Sequence, residues 1–351
     1  MIKKLISFCV ILSICMLRVS AFNDGSLSAE CAVVINVQTG EVLFSKNADK
    51  MHSMASTTKI MTALLAVESG KLQSEIVVSD DMLKVEGTSM GLVDGDSVSL
   101  DELVYGMMLS SGNDAANVTA FFLGDSIENF ASMMNNRAVE IGMKNSSFVT
   151  PSGLDADEHF STAYDMALLG VTAVKNPKFV SVCSSESVSV TFGNPPYRRK
   201  LYNHNKLLNL YDGALGIKTG FTKKSGRCLV SYAKKDSAEL VAVTLNAPDD
   251  WNDHIKMLDY GFLRLKECVV RPALPSKISV VGGVENSVSI NVKPFVYSYL
   301  DSRNSYYRLF LDKFVYAPIT SGTVVGYCEY YLNGAVVETQ PIVVNESVQR
   351  M

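Results

Sequence analysis

Ala55-Ser56-Thr57-Thr58-Lys59-Ile60-Met61-Thr62-Ala63 is the stretch from which the fold reads outward. From Ser56 on, Ile60, Met61, Leu64, Leu65 and Val67 recur at helical spacing, and Gly70 ends the run. Upstream the pattern is that of strands. Ala32-Val33-Val34-Ile35 is apolar and β-branched, Gln38-Thr39-Gly40 turns, and Val42-Leu43-Phe44 returns, so residues 29–46 read as two strands. Downstream, helices are expected from Leu100 to Met108, Ala115 to Phe122, Ile127 to Ile141 with Gly142 as its stop, and Thr162 to Val174. Strand character returns at Ala214 to Thr219, Arg227 to Ala233 and Leu240 to Asn246, before a closing helix from Asp253 to Leu265. Strands at both ends with helices between imply an α+β domain. Its mostly antiparallel sheet joins the two ends of the chain, flanked by helices and a helical subdomain.

The bulk composition agrees with a globular, two-part chain. Its 351 residues are 47% hydrophobic and 19% charged, with a formal net charge of -4 and no basic stripe, so nucleic acid is not an expected partner. Lys3 and Lys4, the apolar run from Leu5 to Leu17, and Val19-Ser20-Ala21 read as a secretory signal over residues 1–21, cleaved after Ala21. The apolar run is shorter than the roughly 20 residues of a spanning helix. Residues 22–271 form the main domain in this reading. Arg271-Pro272-Ala273-Leu274-Pro275 marks a linker, and residues 272–351 read as a small all-β domain. There Ser287 to Val292 alternates with period two, and Leu332-Asn333-Gly334 is a hairpin turn. With Cys9 and Cys15 lost to the signal, Cys31, Cys183, Cys228, Cys268 and Cys328 are expected as buried free thiols. His52, His159, His204 and His254 show no metal-ligand spacing, so neither metal nor cofactor is expected. His159 reads as loop packing, with a place in the cleft wall as the alternative, and Met107, Met108, Met133 and Met134 as core filler.

Three short segments carry chemistry. In Ser56-Thr57-Thr58-Lys59 the spacing of three sets a hydroxyl and an amine on one helix face. A serine needs a base to become a nucleophile, and a lysine serves once burial or a neighbouring cation lowers its pKa. The helix N-terminus adds N–H groups for an oxyanion. Ser111-Gly112-Asn113 lies between two expected helices and offers a proton-relaying hydroxyl and an amide; alone, it reads equally as a helix cap. Lys218-Thr219-Gly220, followed by Phe221, closes a strand with a cation, a hydroxyl donor and a glycine that lets substrate approach the strand edge closely; alone, it is a turn with a solvated lysine.

Taken together and in this order, Ser-x-x-Lys, Ser-x-Asn and Lys-Thr-Gly form the set shared by penicillin-binding proteins and class A β-lactamases. The chain resembles the low-molecular-mass penicillin-binding proteins of peptidase family S11, the D-alanyl-D-alanine carboxypeptidases. The likeness covers essentially the whole mature chain, including Leu109-Ser110-Ser111-Gly112-Asn113-Asp114-Ala115-Ala116, Gly153-Leu154-Asp155, Ser161-Thr162-Ala163 and Asn203-His204-Asn205. Ser225-Gly226-Arg227-Cys228-Leu229-Val230 and Trp251-Asn252-Asp253-His254 resemble its sporulation-associated Gram-positive branch. The resemblance implies a β-lactamase/transpeptidase-like domain. It makes Ser56 the acylated nucleophile, Lys59 its base and Ser111 a proton relay. Asn113 would position the substrate amide, Lys218 and Thr219 would hold a terminal carboxylate, and the N–H groups of Ser56 and Phe221 beside Gly220 would form the oxyanion hole. The implied substrate is a peptidoglycan stem peptide ending in D-Ala-D-Ala, with β-lactams as inhibitors. The implied place is outside the cytoplasm, with a peripheral hold on cell wall or membrane.

Two departures stand out. Better-known members carry an arginine shortly before the closing helix, where this chain reads Asp249-Asp250-Trp251-Asn252; Arg227 and His254 are the candidate substitutes. Members also often end in an amphipathic helix, whereas Val344 to Met351 is short and polar. Three rivals share parts of the pattern. A class A β-lactamase needs a Glu-x-x-x-Asn segment between Ser111 and Lys218, which is missing. A cross-link endopeptidase would use the same fold, without the β domain. An inactive peptidoglycan-binding scaffold would not need all three motifs intact.

Overall fold

The computed structural model describes residues 24–301 and 305–351. The expected signal segment, residues 1–21, lies outside the described residues. β1 (Cys31–Asn36) is buried along its whole length, which is why Cys31 to Ile35 are continuously apolar instead of alternating. β2 (Val42–Lys46) pairs with it antiparallel across the turn. A 3₁₀ turn at Ala55–Thr58 leads directly into α1 (Lys59–Glu68). α1 is buried on almost every side and packs against other helices, so it is a core helix rather than a surface one.

The helical subdomain follows. A small ladder of β3 (Glu75–Val77) and β4 (Ser97–Ser99) precedes α2 (Leu100–Leu109), α3 (Asn113–Gly124), α4 (Ile127–Ile141), α5 (Ala163–Ala173) and α6 (Pro177–Cys183). Ser99 and Glu102 form a reciprocal capping box at the start of α2. Gly142, at φ 91°, ends α4 as read from the sequence. The sequence reading does not anticipate the hairpin of β5 (Ser187–Gly193) and β6 (Pro196–Tyr202). Val188, Val190 and Phe192 do alternate with Ser and Thr there, but in a polar stretch that faces only a corner of the core.

After the short α7 (Leu207–Leu210) come β7 (Ala214–Thr222), β8 (Gly226–Lys235), β9 (Ala238–Leu245) and α8 (Asp250–Arg264). The main sheet runs β2-β1-β9-β8-β7 with every neighbouring pair antiparallel. One face, with Val33, Ile35, Val230, Val241 and Val243, packs on Met166 and Leu169 of α5 and on the helical core. The other face, with Ala32, Val34, Leu229, Leu240 and Ala242, packs on Met257 and Leu258 of α8. α8 begins at Asp250, three residues before the expected Asp253, and this brings Trp251 into its first turn. β7 is left as the edge of the sheet.

The C-terminal part is all β: β10 (Lys266–Val270), β11 (Lys277–Val281), β12 (Ser287–Asn291), β13 (Phe295–Tyr299), β14 (Ser305–Leu311), β15 (Phe314–Tyr316), β16 (Val324–Leu332) and β17 (Ala335–Val344). β10 pairs with β13, and a six-stranded sheet runs β14-β16-β17-β12-β11-β15. Asn333 and Gly334, both at positive φ, make the two-residue hairpin turn between β16 and β17. The β1–β2 turn docks this domain. Asn36 Nδ2 donates to the Ser298 carbonyl at 2.8 Å, Ser298 N–H donates to Gln38 Oε1 at 3.0 Å, and the Leu300 and Asp301 N–H groups donate to the Glu41 carboxylate. Cys31, Cys183, Cys228 and Cys328 are buried free thiols, while Cys268 is only half-buried, on a strand of the thin β10–β13 ladder. No helix among the described residues is long and apolar enough to cross a membrane.

One buried carboxylate ties the chain's start to α8. Asp253 accepts from the N–H groups of Ser28 (3.0 Å) and Ala29 (2.8 Å) and from Ser28 Oγ (2.7 Å). Asp253→Ala would strand these donors, so a loss of about 2–3 kcal/mol is expected. Urea unfolding checks it: the midpoint should fall with an unchanged m-value, and an unaltered midpoint would show the tether to be dispensable.

Candidate active site

The 3₁₀ turn that carries Ser56 is held from behind. Thr57 Oγ1 donates to the Met54 carbonyl at 2.6 Å, and Thr58 Oγ1 donates to the Ala55 carbonyl at 2.8 Å. His159 lies behind this turn as loop packing. Burial pushes its pKa down to about 4, so its ring is neutral. Nδ1 accepts the Val149 N–H at 3.0 Å, which leaves the proton on Nε2 to donate to Thr58 Oγ1 at 2.9 Å. Ala55, in front of the nucleophile, has φ 48°, and Ser111 has φ 59°. Two non-glycine residues in the left-handed region beside one cleft store backbone strain where the chemistry sits.

Lys59 is fully buried, and its amine meets three acceptors: Ser56 Oγ at 3.0 Å, Asn113 Oδ1 at 2.7 Å and the Ser152 carbonyl at 2.6 Å. Asn113 is oriented by its own amide, whose Nδ2 donates to the Glu86 carbonyl at 2.6 Å. Burial, and secondarily the charge of Lys218, hold the Lys59 pKa well below the ordinary lysine value, against a weaker opposing pull from Asp114. Lys218 is 1% exposed, and its Nζ donates to the Thr219 carbonyl at 3.1 Å. Burial pushes its pKa down to about 7. Among the described residues neither amine has a carboxylate within ion-pair distance.

β7 runs beside the helix tip. A Cβ on Gly220 would stand 3.0 Å from the backbone nitrogens of both Ser56 and Thr57, so a side chain here would push the Ser56 turn back by a few tenths of an ångström. Gly153, at φ 86°, is under a similar limit, since a Cβ there would meet the Ala55 carbonyl oxygen at 2.0 Å. The resulting cleft of about 390 Å³ is lined by Ser56, Ser111, Thr219, Gly220 and Phe221, and further by Thr88, His204, Lys206, Arg227, Asp250 and Trp251. Lys59, Asn113 and Lys218 lie buried next to it. All three sequence motifs therefore converge on one place.

Of the two candidate substitutes for the missing arginine, Arg227 lines the cleft and His254 does not. His254 is fully buried in the sheet–α8 interface, hydrogen-bonded to Ser231 Oγ at 2.6 Å and Thr244 Oγ1 at 3.0 Å. The sequence reading also passed over Ser152, His204 as a cleft residue, and the whole 86–92 loop. Ser152 contributes only its backbone, which side-chain identity does not signal. The 86–92 loop is gathered by the buried Asp114, which accepts from the Met90, Gly91 and Leu92 N–H groups and from Ser89 Oγ.

Comparison with known proteins agrees with this geometry. A family model described as D-alanyl-D-alanine carboxypeptidase matches residues 18–249, and one described as penicillin-binding protein 5, C-terminal domain, matches residues 272–350. The chain is 30% identical to the D-alanyl-D-alanine carboxypeptidase DacF of Bacillus subtilis over 336 residues, covering 92% of this chain and 86% of that protein. It is 31% identical to DacC of Escherichia coli, covering 92% and 85%. The crystal structure of penicillin-binding protein 5 from Haemophilus influenzae superposes with a TM-score of 0.67 at 26% identity, covering 94% of this chain and all of that one. The D-alanyl-D-alanine carboxypeptidase DacD from Francisella tularensis superposes with a TM-score of 0.65 at 25% identity, covering 93% and 94%. The chain thus belongs to peptidase family S11, the D-alanyl-D-alanine carboxypeptidases.

Proposed function

We propose that this enzyme removes the terminal D-alanine from a peptidoglycan stem peptide through an ester on Ser56, and that β-lactams acylate the same hydroxyl. The observation that carries the reading is the Lys59 amine, buried, without a carboxylate partner among the described residues, and 3.0 Å from Ser56 Oγ. When neutral, it donates its two hydrogens to Asn113 Oδ1 and the Ser152 carbonyl, and its lone pair accepts the Ser56 hydroxyl proton. Ser56 Oγ then bonds to the carbonyl carbon of the penultimate residue. The Ser56 and Phe221 N–H groups take the developing oxyanion. Ser111, on the opposite wall, passes the proton from Lys59 to the departing amine as the C–N bond breaks. Water adds to the ester, returns a proton to Ser56 and frees the shortened peptide. Asn113 positions the substrate amide, and Thr219 offers its hydroxyl to the terminal carboxylate. Lys218 keeps Lys59 from holding its proton. Action on peptidoglycan places the enzyme outside the cytoplasm, in keeping with the secretory signal read over residues 1–21, and residues 272–351 then form its own C-terminal domain.

Intact-mass analysis after exposure to a β-lactam should show one adduct, mapping to the peptide that holds Ser56. Ser56→Ala should abolish it and lower D-alanine release by roughly four to six orders of magnitude. An adduct that survives this substitution would mean that another residue is acylated.

The paired amines also set a pH dependence. Lys218→Met removes a like charge, so Lys59 should bind its proton more tightly and the acidic limb of the acylation rate should move to higher pH. Folding stability responds in the same variant. The Lys218 amine holds its proton less tightly when folded (about 7) than at its ordinary 10.5, so the wild type gains stability as pH rises across that interval. Lys218→Met should therefore raise the melting temperature most near pH 6 and least near pH 10. An acid limb that stays in place would remove Lys218 from the tuning of Lys59.

A further inference from the structure

A carboxypeptidase must recognise a free C-terminal carboxylate, and the cleft offers several cations for it. Lys218 is poorly suited, because it is buried, its Nζ donates to the Thr219 carbonyl, and its pKa of about 7 leaves it only partly charged. Lys206 is a single flexible ammonium on the rim. Burial, and then the Lys218 charge, lower the pKa of His204. Arg227 differs from all three. Arginine offers a permanently charged planar fork, and this one lines the cleft with its side chain 41% exposed.

Its orientation is built in. Nε and Nη2 both donate to one oxygen of the buried Asp250, Oδ1, at 3.0 and 2.7 Å. Oδ1 also accepts the Trp251 N–H at 3.0 Å in the first turn of α8, where the helix dipole favours a carboxylate. The guanidinium carbon stands 5.6 Å from the Trp251 ring centre. Pinned along one edge and backed by an indole, the fork keeps its Nη1 hydrogens unpartnered among the described residues. Its position along the cleft also fits. Gly220 abuts the Ser56 nitrogen, Phe221 is one residue farther along β7, and Arg227 is the cross-strand partner of Phe221. Arg227 thus starts about 3.4 Å along the strand and about 4.8 Å across it from Gly220. Arg227, opposite Phe221, shares a face of the sheet with Thr219, two residues earlier on β7, whose hydroxyl is offered to the same carboxylate.

We propose that Arg227, held by Asp250 and Trp251, is the anchor for the C-terminal carboxylate and the residue that makes this enzyme select free-acid termini. This inference rests on the hydrolytic reading of the site above. Arg227 binds the substrate; Asp250 and Trp251 are positioning residues.

The test compares two substrates, an N-acylated peptide ending in D-Ala-D-Ala and the same peptide with a C-terminal carboxamide. For the free acid, Arg227→Ala should lower kcat/KM by about 10- to 100-fold, mostly through KM. For the carboxamide, variant and wild type should be alike. Arg227→Lys should fall between, keeping the charge but losing the fork. Because Arg227→Ala leaves Asp250 buried and unpaired, the double variant Arg227→Gln/Asp250→Asn is made alongside it; it keeps a neutral hydrogen-bonded pair and should lose the same preference for the free acid. Equal losses on both substrates, or no loss on the free acid in either variant, would overturn the anchor. A wild-type protein that cleaves neither substrate and forms no β-lactam adduct would instead sink the underlying hydrolytic reading, and the anchor with it.

Discussion

A primary amine sealed into the protein among neutral acceptors is the constraint around which this molecule is arranged. Burying an unpaired ammonium is expensive, and a folded chain answers either by supplying a carboxylate or by letting the proton go. Here the Lys59 amine is surrounded by a hydroxyl, an amide oxygen and a carbonyl, all neutral acceptors, with the second buried amine of Lys218 close enough to repel it. The same environment that lowers the proton affinity of Lys59 lowers the stability of the fold at neutral pH. That is the usual relation between a reactive site and its scaffold.

The three acceptors come from residues 56, 113 and 152, so three separate parts of the chain must be held to hydrogen-bond tolerance. The first two have their own supports. The Ser56 turn is braced by Thr57, Thr58 and the neutral His159. Asn113 is fixed by the Glu86 carbonyl and by its own backbone N–H, which donates to the Thr88 carbonyl. The loop that supplies those carbonyls is gathered by Asp114. On its other side Arg199 donates to the Met90 and Gly91 carbonyls while stacking between Phe192 and Tyr197. The unanticipated β5–β6 hairpin thereby acquires a purpose: it carries the arginine that closes this brace.

The sheet divides the work along its width. β7 leaves an open edge beside the helix tip, where an extended peptide could lie. The C-terminal β domain docks at the β1–β2 turn, toward the opposite side of the sheet, through Asn36, Gln38 and Glu41. The second domain therefore leaves the cleft open.

Much of this was legible in the residues. The strand–helix–strand order, the bounds of α2, α4 and α5, the Gly142 stop and the Asn333-Gly334 turn all rest on local periodicity and turn chemistry, which need only neighbours in sequence. The three motifs named Ser56, Lys59, Ser111, Asn113, Lys218 and Thr219 because side-chain identity carries their chemistry. What sequence could not decide was every feature made by backbone groups or by distance through space. The Ser152 carbonyl has no signature in residue type. Nor could sequence choose between Arg227 and His254 for the cleft. Both sit near the right place in the chain, but β8 turns one toward Phe221 at the sheet edge, while α8 turns the other into the core against Ser231 and Thr244. The chain's own order determined which groups it possesses; only folding, by setting which face of each strand and helix is buried, decided which of them meet.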